Sequence, residues 1–192
     1  MVDEAYPSQT EWHPYGHLIC TPVSLLVGAT FLQTQRQNLK DVLSVPCVRN
    51  IMHLSHNLYR DHFAASGLPL KIQELFPYIS LKIFKYTEVA GMAWSHQGLQ
   101  EAEGMIIKPL LEMLENIVSE SCAKGERVCL ITTAEEHTVC YCVDEEGCLF
   151  VFDPLPASMQ SIQVDKLKAW LRKQYHSADT MYSALLLSLI QP

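Results

Sequence analysis

The sequence is short of basic residues. Its 14 Lys and Arg stand against 21 Asp and Glu, a formal net charge of −7. Non-specific nucleic-acid binding draws on a basic face, so that class is set aside. No apolar run approaches the ~18 residues of a membrane span; the most apolar stretch, Ala184–Ile190, is far shorter. The opening MVDEAYPSQTEW is acidic and polar, unlike a secretory signal or a transit peptide. There is no internal repeat, no low-complexity segment and no Gly/Ser/Pro-rich linker. The 7 Cys are odd in number and lack regular spacing, which reads as reduced thiols in a cytoplasmic compartment. What remains is an ordinary globular composition, 48% hydrophobic and 18% charged over 192 residues. A chain of this length buries roughly 70% of its unfolded surface as one domain and needs no disulfide or metal to fold.

The expected order is helices first, then strands. Residues up to 19 read as an irregular lead-in broken by Pro7, Pro14 and Gly16. Thr21 and Pro22 look like the N-cap and first residue of a helix with Val23, Leu26, Val27 and Phe31 inside. A second helix is expected over Val48–Phe63, its inner face Ile51, Leu54, Ser55, Leu58 and Tyr59. A short helix follows at Ile72–Leu75, a short strand at Leu81–Phe84, and another helix over 106–121. The segments RVCLITT (127–133), HTVCYCV (137–143) and CLFVF (148–152) read as strands, the last two joined by the turn DEEG. Asp165 is placed to cap a helix carrying Leu167, Trp170, Leu171 and Tyr175; the length of Met181–Ile190 permits a strand or a helix, and a strand is favoured because it would close the sheet. This is an α+β domain spanning 1–192, with a helical lobe over about 20–121 and a sheet lobe over about 127–192.

Three residues in this order carry chemistry. Cys20 stands where a helix begins, and the unpaired N–H groups there favour a thiolate. His137 opens a strand, and Asp153 ends the next one, so an antiparallel pair makes them neighbours. Thiol, imidazole and carboxylate are the nucleophile, base and orienter of a cysteine hydrolase. Such a site also needs donors for the oxyanion. The Cys20 N–H is one; Gln9, the only side-chain amide upstream, is the other, ahead of His13, Tyr15 and His17.

Metal readings are weaker. Cys140 and Cys142 have one residue between them within a strand, not the knuckle spacing of a zinc site. His53, His56 and His62 share a predicted helix without an H-E-x-x-H motif, and read as a polar face. No metal and no cofactor are expected.

The stretch SQTEWHPYGHLICTPVSLLVGATFL resembles the start of a papain-like deubiquitinase, in particular the herpesvirus large-tegument deubiquitinases and their non-viral, tegument-like relatives. Gln9, Cys20 and the run Thr21–Gly28 carry the likeness. DVLSVPCVRNIMHLSHNLYRDHF is similar to that family's second helix with its Leu-Tyr step, here Leu58-Tyr59, and CLFVFDP to its strand ending in Phe-Asp-Pro. One position departs. The tegument enzymes carry the catalytic His two residues after the Asp, where this chain has Leu155. His137 is instead the place used by ordinary papain-like and Josephin-type enzymes.

The resemblance implies a papain-like cysteine protease fold and a ubiquitin-specific thiol hydrolase acting after the Gly-Gly tail. Its triad would be Cys20, His137 and Asp153, with Gln9 beside it. The implied partner is ubiquitin or polyubiquitin, with no nucleic acid or membrane, and the chain is expected to be a monomer. The implied location is the cytoplasm, or the host-cell cytosol or nucleus for a viral or bacterial protein. Residues 85–104, with Gly91, Gly98, Gly104 and Trp94, are expected to form a substrate-binding rim. The rival class is a catalytically inactive papain-like pseudoenzyme acting as a ubiquitin-binding or protein-interaction domain.

Overall fold

In the computed structural model the described residues are 6–34, 42–75, 77–78, 84–92, 115, 127–133, 137–144, 148–155, 158–174 and 182–189. Helices α1 (Cys20–Gln33), α2 (Val45–His62) and α3 (Ile72–Leu75) come first. Strands β1 (Phe84–Met92), β2 (Arg127–Thr133), β3 (Thr138–Val143), β4 (Leu149–Asp153) and β5 (Ser158–Ile162) follow, then α4 (Val164–Gln174) and β6 (Tyr182–Leu189). All the pairings are antiparallel in one sheet of order β1-β6-β2-β3-β4-β5. The fold is thus helices packed with an antiparallel sheet. Among the described residues no helix is long and apolar enough to cross a membrane.

Helix α1 is buried along nearly its whole length because both the sheet and the other helices cover it. Alternation sends Val128, Leu130, Cys140, Cys142, Phe150, Phe152 and Leu187 into the core that holds α1. On the opposite face Tyr141 meets Trp170 of α4 edge-on, and Leu167 is fully buried. The contact of α1 with the sheet is close at Gly28. A Cβ there would stand 2.6 Å from Val128 Cγ1 and 3.4 Å from Cys140 Sγ.

Helix α2 begins at Ser44, whose hydroxyl accepts from the Cys47 N–H at 3.4 Å. Val48, Ile51, Met52, Ser55 and Tyr59 form its buried stripe. Leu54, expected inside, is 49% exposed, because the stripe follows the 48–51–55–59 row and Met52 fills the place beside it.

Several boundaries differ from the sequence expectation. Helix α1 starts at Cys20 with Ile19 as N-cap, so Thr21 is a first-turn residue whose hydroxyl bonds the sheet instead of capping. Asp165 lies inside the first turn of α4, where a carboxylate still complements the helix dipole. Part of the expected rim is strand β1, paired along β6. Its Thr87, Val89 and Met92 have strand propensity that the glycines obscured. The span 20–121 is therefore not purely helical. Strand β5 was not expected, since Ser158–Ile162 has little apolar content. The tail is a strand, and it lies between β1 and β2. The helix over 106–121, apart from residue 115, and Trp94 lie outside the described residues.

The α1–sheet contact yields a test. Gly28→Ala should destabilise the fold by about 1–3 kcal/mol, seen as a lower denaturation midpoint with an unchanged denaturant slope. An unaltered midpoint would show that α1 does not pack this closely.

Candidate active site

Cys20 is the first residue of α1, and its N-terminus lacks a side-chain cap. Cys20 as a whole residue is 2% exposed. Strand β3 crosses this helix end and fixes the thiol's surroundings. Thr138 Oγ1 lies 2.9 Å from Thr21 Oγ1, and Ser24 Oγ donates to the Thr138 carbonyl at 2.7 Å.

His137 stands one residue outside β3. Within the strand, its parity would turn it to the face of Val139 and Tyr141, away from α1. At the strand mouth the ring is free of that alternation, and it meets both Cys20 and Asp153. His137 Nε2 lies 2.8 Å from Asp153 Oδ1. With Nε2 engaged by the carboxylate, Nδ1 is the nitrogen left for the Cys20 thiol, to which the ring is hydrogen-bonded. Asp153 ends β4, next to β3 in the sheet. Its Oδ1 also accepts the Leu155 N–H at 3.0 Å, which fixes the carboxylate from behind.

The electrostatics follow from this packing. Burial alone pushes the Cys20 thiol up. Hydrogen bonding and charge from His137, a main-chain hydrogen bond from Thr138 and the Thr21 hydroxyl outweigh it, so the thiol lies below its ordinary value. Burial likewise opposes charge on His137, but the hydrogen bonds to Asp153 and Cys20 and their charges overcome it, raising the imidazole to about 10. The opposite shifts describe one thiolate–imidazolium pair.

Gln9 opens a short 3₁₀ turn, Gln9–Glu11, that Ser8 caps. The Ser8 N–H donates to Glu11 Oε1 at 2.9 Å, and the Thr10 N–H to Ser8 Oγ at 3.3 Å. Two bonds tie this turn to the loop after Asp153: the Gln9 N–H to the Pro154 carbonyl at 3.3 Å, and Ser8 Oγ–H to the Leu155 carbonyl at 2.6 Å. Gln9 is 2% exposed, and among the described residues its Oε1 has no partner. A Cβ on Gly16 would overlap the Gln9 carbonyl, so the lead-in folds back on itself only with glycine there. His13 and His17 are exposed, and Tyr15 stacks on Tyr59 and His56.

The predicted polar face of α2 is covered in part by the lead-in. Trp12 stacks against His53 and His56, while His62 lies against Tyr78 with ring centroids 4.3 Å apart. The sulfurs of Cys140 and Cys142 lie 3.6 Å apart in the core. Burial, then the Cys142 thiol, holds the Cys140 thiol well above its ordinary value. Among the described residues no group of three or more His, Cys, Asp or Glu side chains is arranged to hold a metal ion.

The structure brings together Cys20, His137 and Asp153, the three residues singled out in the sequence, and it ties Gln9, expected as an oxyanion donor beside the thiol, to the loop after Asp153 through its backbone. Sequence reasoning missed the hydroxyls of Thr21, Thr132 and Thr138 and the Ser8 clip. The threonines had a signal, because Thr132 and Thr138 fall on the same strand face as Leu130 and Cys140, where an apolar residue is the ordinary choice.

No family model matches the chain, and no curated protein matches it. Among solved structures it is similar to the avirulence protein AvrPphB of Pseudomonas, at 11% identity and a TM-score of 0.44, over 94% of this chain and 100% of that one. This likeness is too slight to bear on the reading of the site.

Removing Asp153 tests the geometry. Asp153→Ala deletes the strongest influence raising the imidazole, so the alkaline limit of the ion pair should fall from about 10 toward the ordinary histidine value of 6.5. Asp153→Asn, which keeps an acceptor, should fall less far. The check is the pH profile of site-resolved Cys20 alkylation; equal profiles in all three proteins would separate Asp153 from the pair.

Proposed function

We propose that the chain is a papain-like cysteine hydrolase that cleaves the peptide or isopeptide bond after the ubiquitin Gly-Gly tail. The observation that carries this reading is the Cys20–His137–Asp153 cluster, joined through the Asp153 hydrogen bond at 2.8 Å. The substrate class rests on the resemblance of the lead-in, α2 and the Phe-Asp-Pro strand end to tegument-type deubiquitinases.

In this mechanism the Cys20 thiolate attacks the carbonyl of the terminal glycine. The Cys20 N–H and the Gln9 side-chain amide donate to the oxyanion. Imidazolium His137 gives its proton to the departing amine as the tetrahedral intermediate collapses to a thioester. Neutral His137 then takes a proton from water, and the resulting attack releases the carboxylate and restores the thiolate. Asp153 fixes the tautomer and stabilises the imidazolium throughout. The pH window for turnover opens at the lowered Cys20 value and closes near 10, where His137 loses its proton. A monomer acting on ubiquitin or polyubiquitin in the cytoplasm fits this reading.

The second reading, a pseudoenzyme that only binds ubiquitin, draws on two observations. Cys20 is buried, and Leu155 stands where the tegument enzymes carry their histidine. Electrophilic probes built on the C-termini of ubiquitin and related modifiers separate the two. Wild type should be trapped covalently by the ubiquitin probe. Cys20→Ala should abolish trapping with the fold intact, and His137→Ala should slow turnover by several orders of magnitude. Ubiquitin binding without trapping would select the pseudoenzyme; trapping only by another modifier would correct the substrate.

A further inference from the structure

The start of β3 carries a buried group of hydroxyls that the triad does not use. Thr138 is fully buried, and its Oγ1 lies 2.9 Å from Thr21 Oγ1 and 2.9 Å from Thr132 Oγ1. Thr21 Oγ1 is 4.0 Å from Cys20 Sγ. The same Thr138 accepts Ser24 Oγ–H on its carbonyl and lies directly after His137. Three hydroxyls in a row, Thr21 on α1 and Thr132 and Thr138 on a strand face otherwise built of Val128, Leu130, Cys140 and Cys142, are costly unless each finds a partner. They partner one another, and the row ends at the sulfur.

Each hydroxyl has one proton to give, so the row has a direction. When Cys20 is a thiolate, the Thr21 O–H points at sulfur. Thr21 then accepts from Thr138, and Thr138 accepts from Thr132. Every proton is oriented toward the charge, and each bond polarises the next. When Cys20 is a neutral thiol, that end of the row loses its anionic acceptor.

We infer that Thr138 is a positioning residue whose hydroxyl, through Thr21 and backed by Thr132, holds the start of β3 against the start of α1 and steadies the Cys20 thiolate. The inference rests on the ion-pair reading above and deepens it, because it assigns part of the thiolate's stability to groups outside the triad. Among the described residues the titratable group that acts on the thiol is His137, with Asp153 behind it. The α1 neighbours Thr21 and Ser24 are uncharged.

The test is the pH dependence of Cys20 alkylation by iodoacetamide, followed at the Cys20 peptide by mass spectrometry so that other thiols do not contribute. Thr138→Val keeps the shape and removes the central hydroxyl. Its alkylation rate on the acid limb should fall about three- to tenfold, the worth of one buried hydrogen bond, and the limb should move to higher pH. Thr138→Ser should restore the wild-type limb. A folded Thr138→Val protein with an unmoved limb overturns the inference. Should that variant fail to fold, Thr132→Val, which touches no triad member, should shift the limb the same way by a smaller amount; no shift there is equally contradictory. A wild-type Cys20 that titrates as an ordinary thiol overturns the ion-pair reading itself. A lowered wild-type limb that ignores the threonines overturns only the role given to Thr138.

Discussion

The junction between the start of α1 and the start of β3 is the contact on which the rest depends. Cys20 opens the helix and His137 immediately precedes the strand, so their approach is set by how the helix end meets the strand end. Hydrogen bonds fasten the join, among them those from Ser24 Oγ to the Thr138 carbonyl and between the Thr21 and Thr138 hydroxyls. Gly28, two turns along α1, lets the same helix lie against Val128 and Cys140. A wider helix–sheet spacing would separate thiol and imidazole without altering either residue.

Burial alone would leave this pair neutral. It pushes the Cys20 thiol up and the His137 imidazole down, and both trends are reversed only because the partners are so close. Asp153 supplies the third charge and is itself fixed by the Leu155 N–H. The loop that carries Pro154 and Leu155 is in turn tied to the Ser8–Gln9 turn. The lead-in, the loop after β4 and the helix start thus form one connected unit. Gln9 belongs to that unit through its backbone N–H.

Much of this was legible in the sequence because hairpin topology is local. Asp144 and Cys148 close the turn between β3 and β4 through the Cys148 N–H to Asp144 Oδ1 at 2.8 Å, and the register then brings Asp153 beside the start of β3. Cys20 was legible from the Thr-Pro step after it, although the helix includes the cysteine itself. The side of the sheet toward which His137 turns was not legible, since alternation ceases to constrain a residue just outside the strand. Strand β1 was obscured by glycines that suggested a loop, and β5 by its polar content. The hydroxyls of Thr21, Thr132 and Thr138 come from three elements, and only tertiary packing joins them. Leu54 shows the same limit on α2, where a leucine near the apolar stripe remains exposed.

Everything above turns on a buried ion pair between His137 and Cys20, which NMR titration of the His137 ring carbons and nitrogens would read out. In wild type the imidazole should stay protonated up to about 10. In Cys20→Ala, with the anionic partner removed, its titration should fall to a lower pH. A His137 that titrates near the ordinary histidine value of 6.5 in both proteins would rule out the ion pair.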